Sequence, residues 1–404
     1  MKYFLLLAFS LLLINISSFA QKVKNEKVKF SYLQYPSKPF PKAERKVKFT
    51  TESSNKETVA KMKKDYETIV ANIDKKYAED LADLKRRQAA YDSSSTGSKI
   101  MSNIILGDGR PSDTLVKKQP YPLTPVYPKV IDGSAQVHSR ISLKGISVDE
   151  SAATTIKFTF LGMEHTDRQL VVENDTVYHG YVYTIKNPVK VTATTKDGNI
   201  LYDGFVNDSN NFTRVIRDEE KDSVQLEEIW LRERVTDIRK NEDMLLMLTM
   251  NKANDLLNDL FGYVVKEKSI KVFMGAEKKN IYPEHAEAYN NAILGYHLLE
   301  NESDFNKAKE YLDLAIAVWE KSLEEKNTGD KKAKINAKVA GGLHFNIVAA
   351  ALFTRDFKKV AIHSAQLKVL GEGKYKRQLA SIDKFIDDYK ARYTAYVTEA
   401  GMTE

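Results

Sequence analysis

The chain has 404 residues, no cysteine and a formal net charge of +7. The missing cysteine excludes disulfides, thiolate metal sites, a thiol nucleophile and a lipid anchor attached through cysteine. Acids and bases interleave along most of the length, which is the pattern of a solvated surface, and the length suffices for two or three domains held by apolar cores alone.

Residues 1–20 carry one early lysine, an apolar run from Phe4 to Ile14 broken only by Ser10, and a small-x-small ending at Ser18-Phe19-Ala20. This reads as a secretory signal peptide cleaved before Gln21. The run is too short to span a bilayer core of about 30 Å, so no transmembrane segment is expected after cleavage. The expected address is the periplasm or the outer-membrane periphery of a Gram-negative bacterium, with no nucleic acid among the partners. Just beyond, Lys22, Lys24, Lys27, Lys29, Lys38, Lys42, Arg45, Lys46 and Lys48 face only Glu26 and Glu44. That local excess suits anionic lipid, lipopolysaccharide or an acidic protein face.

Residues 21–92 form the first region. Val28, Phe30 and Tyr32 alternate as on one face of a strand, prolines 36, 39 and 41 stop it, and Val47-Lys48-Phe49 resumes it. Ser53 and Ser54 are suitable caps for a long amphipathic helix reaching about Tyr91, with Val59, Met62, Tyr66, Ile69, Ile73, Tyr77, Leu81 and Leu84 three or four apart. The stripe is long enough for a coiled-coil seam, although packing on the protein's own sheet is preferred. Residues 93–128, with the serine run, glycines and half of the ten prolines, read as a linker in which Ile104-Ile105-Leu106 is an apolar interruption.

Across residues 129–217 the period changes to two. Strands are expected at Ile141 and Leu143, Ile156 to Phe160, Leu170 to Val172, Val177 to Ile185, Val189 and Val191, and Ile200 to Val206. Asp197-Gly198-Asn199 is a tight hairpin turn. The expected unit is a small antiparallel β-sandwich. On its strand 179–183, His179, Tyr181 and Tyr183 share one face, either as a glycan- or protein-binding surface or as sandwich core, the core being preferred.

Residues 218–404 read as helical, with a short strand or extended connection at residues 270–274. No catalytic constellation is present. No two of the seven histidines stand at i, i+4, Gly371-Glu372-Gly373-Lys374 reads as a helix end, and Asp218, Glu219 and Glu220 suit a helix start. Residues 207–211 offer oxygens to calcium but read better as a polar turn. No metal or cofactor is expected, and the chain is not expected to be an enzyme.

Two helical patterns lie back to back in residues 286–317. Tyr289, Ala292, Ile293 and Tyr296 recur at helical spacing, then Asp304-Phe305 opens a second helix with Ala308, Leu312 and Ala315. This resembles a tetratricopeptide repeat, with an inter-helix turn about three residues longer than the family's. A weaker copy follows, with His344, Ile347, Val348 and Ala351, then Asp356-Phe357, then Val360, Ser364 and Leu367. The resemblance implies a groove lined by the inner helix of each pair, with Tyr289, Tyr296 and His344 as apolar contacts and Asn290 and Asn346 as hydrogen-bonding groups for an extended peptide. The same positions suit helix-to-helix core packing, which is preferred for the two tyrosines. A terminal amphipathic helix through Leu379, Ile382, Phe385, Ile386, Tyr389 and Tyr393 would cap the array.

The fold class expected is therefore α+β: N-terminal strands and a long helix, a central β-sandwich-like domain, and a C-terminal helical-repeat region. The function expected is a non-catalytic adaptor or accessory subunit binding envelope proteins within an outer-membrane-associated assembly. The alternative is a glycan- or peptidoglycan-binding protein that uses the β domain.

Overall fold

The computed structural model describes residues 21–53, 55–105, 109–112, 116–166, 169–173, 178–206, 213–216 and 223–399. The signal-like segment, Ser54, the polar turn at 207–211 and the acids at 218–220 lie outside them.

In chain order the elements begin with β1 (Lys22–Gln34), β2 (Lys46–Ser53), α1 (Asn55–Ser93), α2 (Thr96–Ile105) and α3 (Gly133–Arg140). The strands β3 (Ser147–Val148), β4 (Thr155–Phe160), β5 (Glu164–His165), β6 (Gln169–Glu173), β7 (Tyr178–Lys186), β8 (Val189–Thr194), β9 (Ile200–Phe205) and β10 (Thr213–Ile216) follow. Then come α4 (Ser223–Phe261), β11 (Val264–Glu277), β12 (Asn280–Ile281), α5 (Pro283–His297), α6 (Phe305–Glu324), α7 (Ala337–Phe353), α8 (Phe357–Leu370) and α9 (Gly373–Glu399). The fold is α+β. Its described residues divide into two compact units that are discontinuous in sequence, one drawn from 21–47, 142–152 and 255–399 and the other from 48–141 and 153–254.

In the first, ribbon-and-helix unit, β1 pairs antiparallel with β11 along its whole length, from Lys22 opposite Ala276 to Gln34 opposite Val264. The expected short strand at 270–274 is thus a 14-residue strand. The alternation of Val28, Phe30 and Tyr32 turns one face of this ribbon onto the helices, where all three are buried. Phe30 stacks on Tyr296 of α5 with ring centroids 4.7 Å apart and meets Phe353 of α7 edge-on at 5.2 Å. Helices α5 and α6 approach closely because their contact is made of small residues: a Cβ on Gly295 would stand 2.6 Å from Leu312 Cγ and 2.9 Å from the Ala308 carbonyl. Helix α7 is buried on every side from Val339 to Phe353, as an apolar helix without a polar face must be. Gly371, at φ 80°, ends α8 in the left-handed conformation, as expected for a helix end.

The second, sheet unit holds two sheets. In one, residues 48–53 of β2 pair with β4 in parallel, β4 pairs with β8, and β8 with β9, the last two pairings antiparallel. The described pairings among strands of residues 129–217 are antiparallel, as expected, and β2 joins them in parallel from the N-terminal region. In the other, β7 pairs with β10 on one edge and with β5 and β6 on the opposite edge. The expected Ile141–Leu143 strand is absent: Ile141 ends α3, and Asn258 accepts from Lys144 N–H at 2.9 Å and donates to Ser142 C=O at 2.8 Å in place of a ladder. The hairpin turn stands, with Gly198 at φ 83° between β8 and β9.

The linker region is structured where it is described. After α2 the chain returns along α1 as an extended strap. Arg110 meets Asp92 at 3.2 Å, Gln88 donates to Pro111 C=O at 2.9 Å, Lys118 pairs with Asp74 at 2.6 Å, and Tyr66 donates to Pro122 C=O at 3.2 Å. The α1 stripe is buried within its own unit at Val59, Ile73 and Leu84 and left open at Ile69. The side chains of residues 104–106 lie outside those described.

Candidate functional site

The five residues assigned to a repeat groove separate in the structure. Tyr296 is fully buried under Phe30, and among the described residues its hydroxyl has no hydrogen-bond partner. Asn346 is also buried. It accepts from Phe273 N–H at 2.8 Å and donates to Phe273 C=O at 2.7 Å, so it bonds an extended segment, but that segment is β11 of the same chain. His344 faces α8, with its Nδ1 2.9 Å from Nδ1 of the buried His363. The groove assignment is corrected for these three: the ribbon covers the inner helices at Tyr296 and Asn346, and α8 covers His344. Tyr289 is half-buried and packs against the core, while Asn290 is exposed on α5. Partial burial, and secondarily the carboxylate of Glu26 on β1, raise the Tyr289 phenol above its ordinary value.

The aromatic face on β7 also closes at its one described side chain. Tyr183 is buried, donates to Asp237 Oδ2 of α4 at 2.7 Å, and accepts from Asn241 Nδ2 at 3.0 Å. It packs with Ile185 against Leu226, Trp230, Ile238 and Leu245, so a helix and not a second sheet covers this strand. The side chains of His179 and Tyr181 lie outside those described; their backbones pair with Val172 and Leu170 of β6.

What the pattern did not announce is an open strand edge. Leu33 N–H points away from β11 and bonds Leu299 C=O at 3.0 Å. By the alternation of an antiparallel ladder, the backbone groups of Val23, Asn25, Lys27, Lys29 and Ser31 point the same way. Among the described residues none of them has a partner on that side. The opposite edge, that of β11, is occupied at Phe273 and Gly275: Asn346 holds Phe273, and Gly275 N–H donates to His285 Nδ1 at 2.9 Å while Tyr282 N–H bonds Gly275 C=O. Beside β1 lies a cleft of about 650 Å³ with Lys29, Ser31, His297 and Glu300 in its lining. Lysine-rich edges are common protection against strand addition, and the signal in the sequence was the lysine alternation itself.

Among the described residues no group of three or more His, Asp or Glu side chains is arranged to hold a metal ion, and no helix is long and apolar enough to cross a membrane. No family model, curated protein or solved structure matches the chain.

Proposed function

We propose that this chain is an exported, non-catalytic adaptor of a bacterial envelope assembly that holds a protein partner by adding an extended segment of it to the open edge of β1. The observation that carries the reading is the set of outward backbone groups at alternate residues from Val23 to Ser31, which have no partner among the described residues, on a strand whose inner face is anchored in a core. Backbone pairing at such an edge supplies affinity, and side chains beside it supply selectivity. Here those side chains are Lys24, Lys27 and Lys29 with Tyr289 and Asn290 on α5, which favours an acidic partner segment. The same lysines oppose edge-to-edge pairing of two copies. The helical pairs resembling tetratricopeptide repeats serve as the platform of the ribbon, and their own groove is filled in cis.

The test is affinity purification of the tagged protein from gently solubilised envelopes, with mass spectrometry of what accompanies it, using the parent and Lys27→Pro. The proline removes the outward N–H without touching the ladder to β11. Stoichiometric envelope proteins that accompany the parent and are lost from the variant support the reading. Equal recovery with both refutes the edge. Retention on purified sacculi with no protein partner replaces the adaptor with the glycan-binding alternative.

A further inference from the structure

The sheet unit contains a cleft of about 830 Å³, within the range of about 300–1,000 Å³ that small-molecule sites occupy. Met62 of α1, Val126 of the strap, Met163 ahead of β5, and Trp230 and Ile238 of α4 give it apolar walls. Two basic side chains also line it, Arg234 of α4 and His165 of β5.

Their surroundings differ. His165 Nε2 lies 2.7 Å from Oε1 of Glu242, which is fully buried. Burial alone would raise that carboxyl, but hydrogen bonds from His165, from Lys129 N–H and from Arg239 outweigh it and hold it below its ordinary value. Glu242 is thus an ionised acceptor, His165 Nε2 carries a proton toward it, and the ring is fixed in place as a rigid wall of the cleft. The charge of Glu242 is met by Arg239 at 2.6 Å. Among the described residues Arg234 has no such partner. It is half-buried, gives one N–H to Thr124 C=O at 2.7 Å, and among the described residues forms no ion pair. Glu164, the carboxylate in the lining, is exposed and does not bridge to it. A guanidinium on an apolar wall with most of its donors unused favours a planar anion that accepts two N–H groups at once.

We propose that this cleft binds an amphiphilic organic anion, its carboxylate taken by Arg234 and its aliphatic body, of fatty-acyl size, lying along Met62, Val126, Met163, Trp230 and Ile238. The site is separate from the β1 edge and does not depend on it.

Trp230 and Trp319 are the two tryptophans of the chain. Full-length protein carrying Trp319→Phe therefore reports from the cleft alone. Titration with decanoate below its micellar range is expected to give a saturable change in Trp230 emission, with decanol binding at least tenfold more weakly. Arg234→Met should lose at least tenfold in decanoate affinity while leaving decanol unchanged, and Arg234→Lys should recover part of the loss. Calorimetric titration of the unmodified chain with decanoate and decanol decides the charge question without any substitution. Equal affinities for acid and alcohol, unchanged decanoate binding by folded Arg234→Met, or no saturable binding of decanoate would each overturn the proposal.

Discussion

Asn346 on α7 and Phe273 on β11 form a two-way pair, the side-chain amide accepting from the backbone N–H at 2.8 Å and donating to the carbonyl at 2.7 Å. One side chain thereby does for β11 what a further strand would do, and both of its partners are buried. Asn346→Leu leaves an N–H and a C=O without partners in the core. We expect a loss of at least about 2 kcal/mol, since an orphaned buried polar group costs about 1–3 kcal/mol. Urea unfolding at neutral pH checks it; a loss below about 0.5 kcal/mol would show that the pair holds little.

Tyr296 presents the opposite case. Its ring stacks on Phe30, yet its hydroxyl is buried without a partner among the described residues, and burial raises its phenol well above the ordinary value. Tyr296→Phe keeps the stack and removes the orphan. An increase of about 1 kcal/mol is expected in the same assay. A decrease would mean that the hydroxyl has a partner, such as a bound water.

Two glycines separate packing from backbone strain. Gly295→Ala forces a methyl against Leu312 and the Ala308 carbonyl, and overpacking of this kind costs about 1–3 kcal/mol. At Gly198, φ is 83° and nothing stands within 4 Å of the new Cβ, so Gly198→Ala costs about 1–2 kcal/mol through the left-handed backbone alone. The Gly295→Ala loss should be partly recovered by adding Leu312→Ala beside it. Gly198→Ala should not respond to that second change. A double-mutant cycle measures the difference.

Acid should destabilise the ribbon-and-helix unit. Burial, the largest cause, lowers His285 from 6.5 to about 4, with Glu284 and Glu325 opposing and Lys334 adding to the effect. Gly275 N–H donates to its Nδ1, which must therefore stay unprotonated, while Nε2 faces Ser322. Burial likewise lowers His344 to about 4, helped by His363 and Lys326, and it lowers His363, which Glu320 opposes. These groups bind protons more readily in the unfolded chain, so stability is complete above about pH 6.5 and falls as pH drops toward 4. At about 1.4 kcal/mol per pH unit, His285 alone accounts for about 3 kcal/mol. Thermal melts from pH 7 to pH 4.5 should show the loss, and its absence would place the imidazoles in contact with solvent.

Much of the helical architecture is legible in short-range pattern. The helical spacing of Ala292 on one helix and of Ala308, Leu312 and Ala315 on the next is enough to mark the α5–α6 contact, and all four are fully buried. The alternation of Val28, Phe30 and Tyr32 identifies the inner face of β1. Tyr296 lies in the core, the reading preferred for it, while the groove assignment failed at Asn346 and His344 for one shared reason: periodicity says which face of an element is apolar, and says nothing of what will cover it.

The sequence by itself determined the α+β class, the long first helix, the Gly198 hairpin and the apolar faces, because each depends on residues within a few positions of one another. Only the tertiary structure decided that β1 pairs with the sequence-distant β11, that the ribbon fills the helices' inner face, and that Arg234 stands in a cleft with no ion pair among the described residues. Those outcomes depend on which distant surface buries the most apolar area while meeting the backbone's hydrogen bonds, a competition among long-range partners that local spacing does not record.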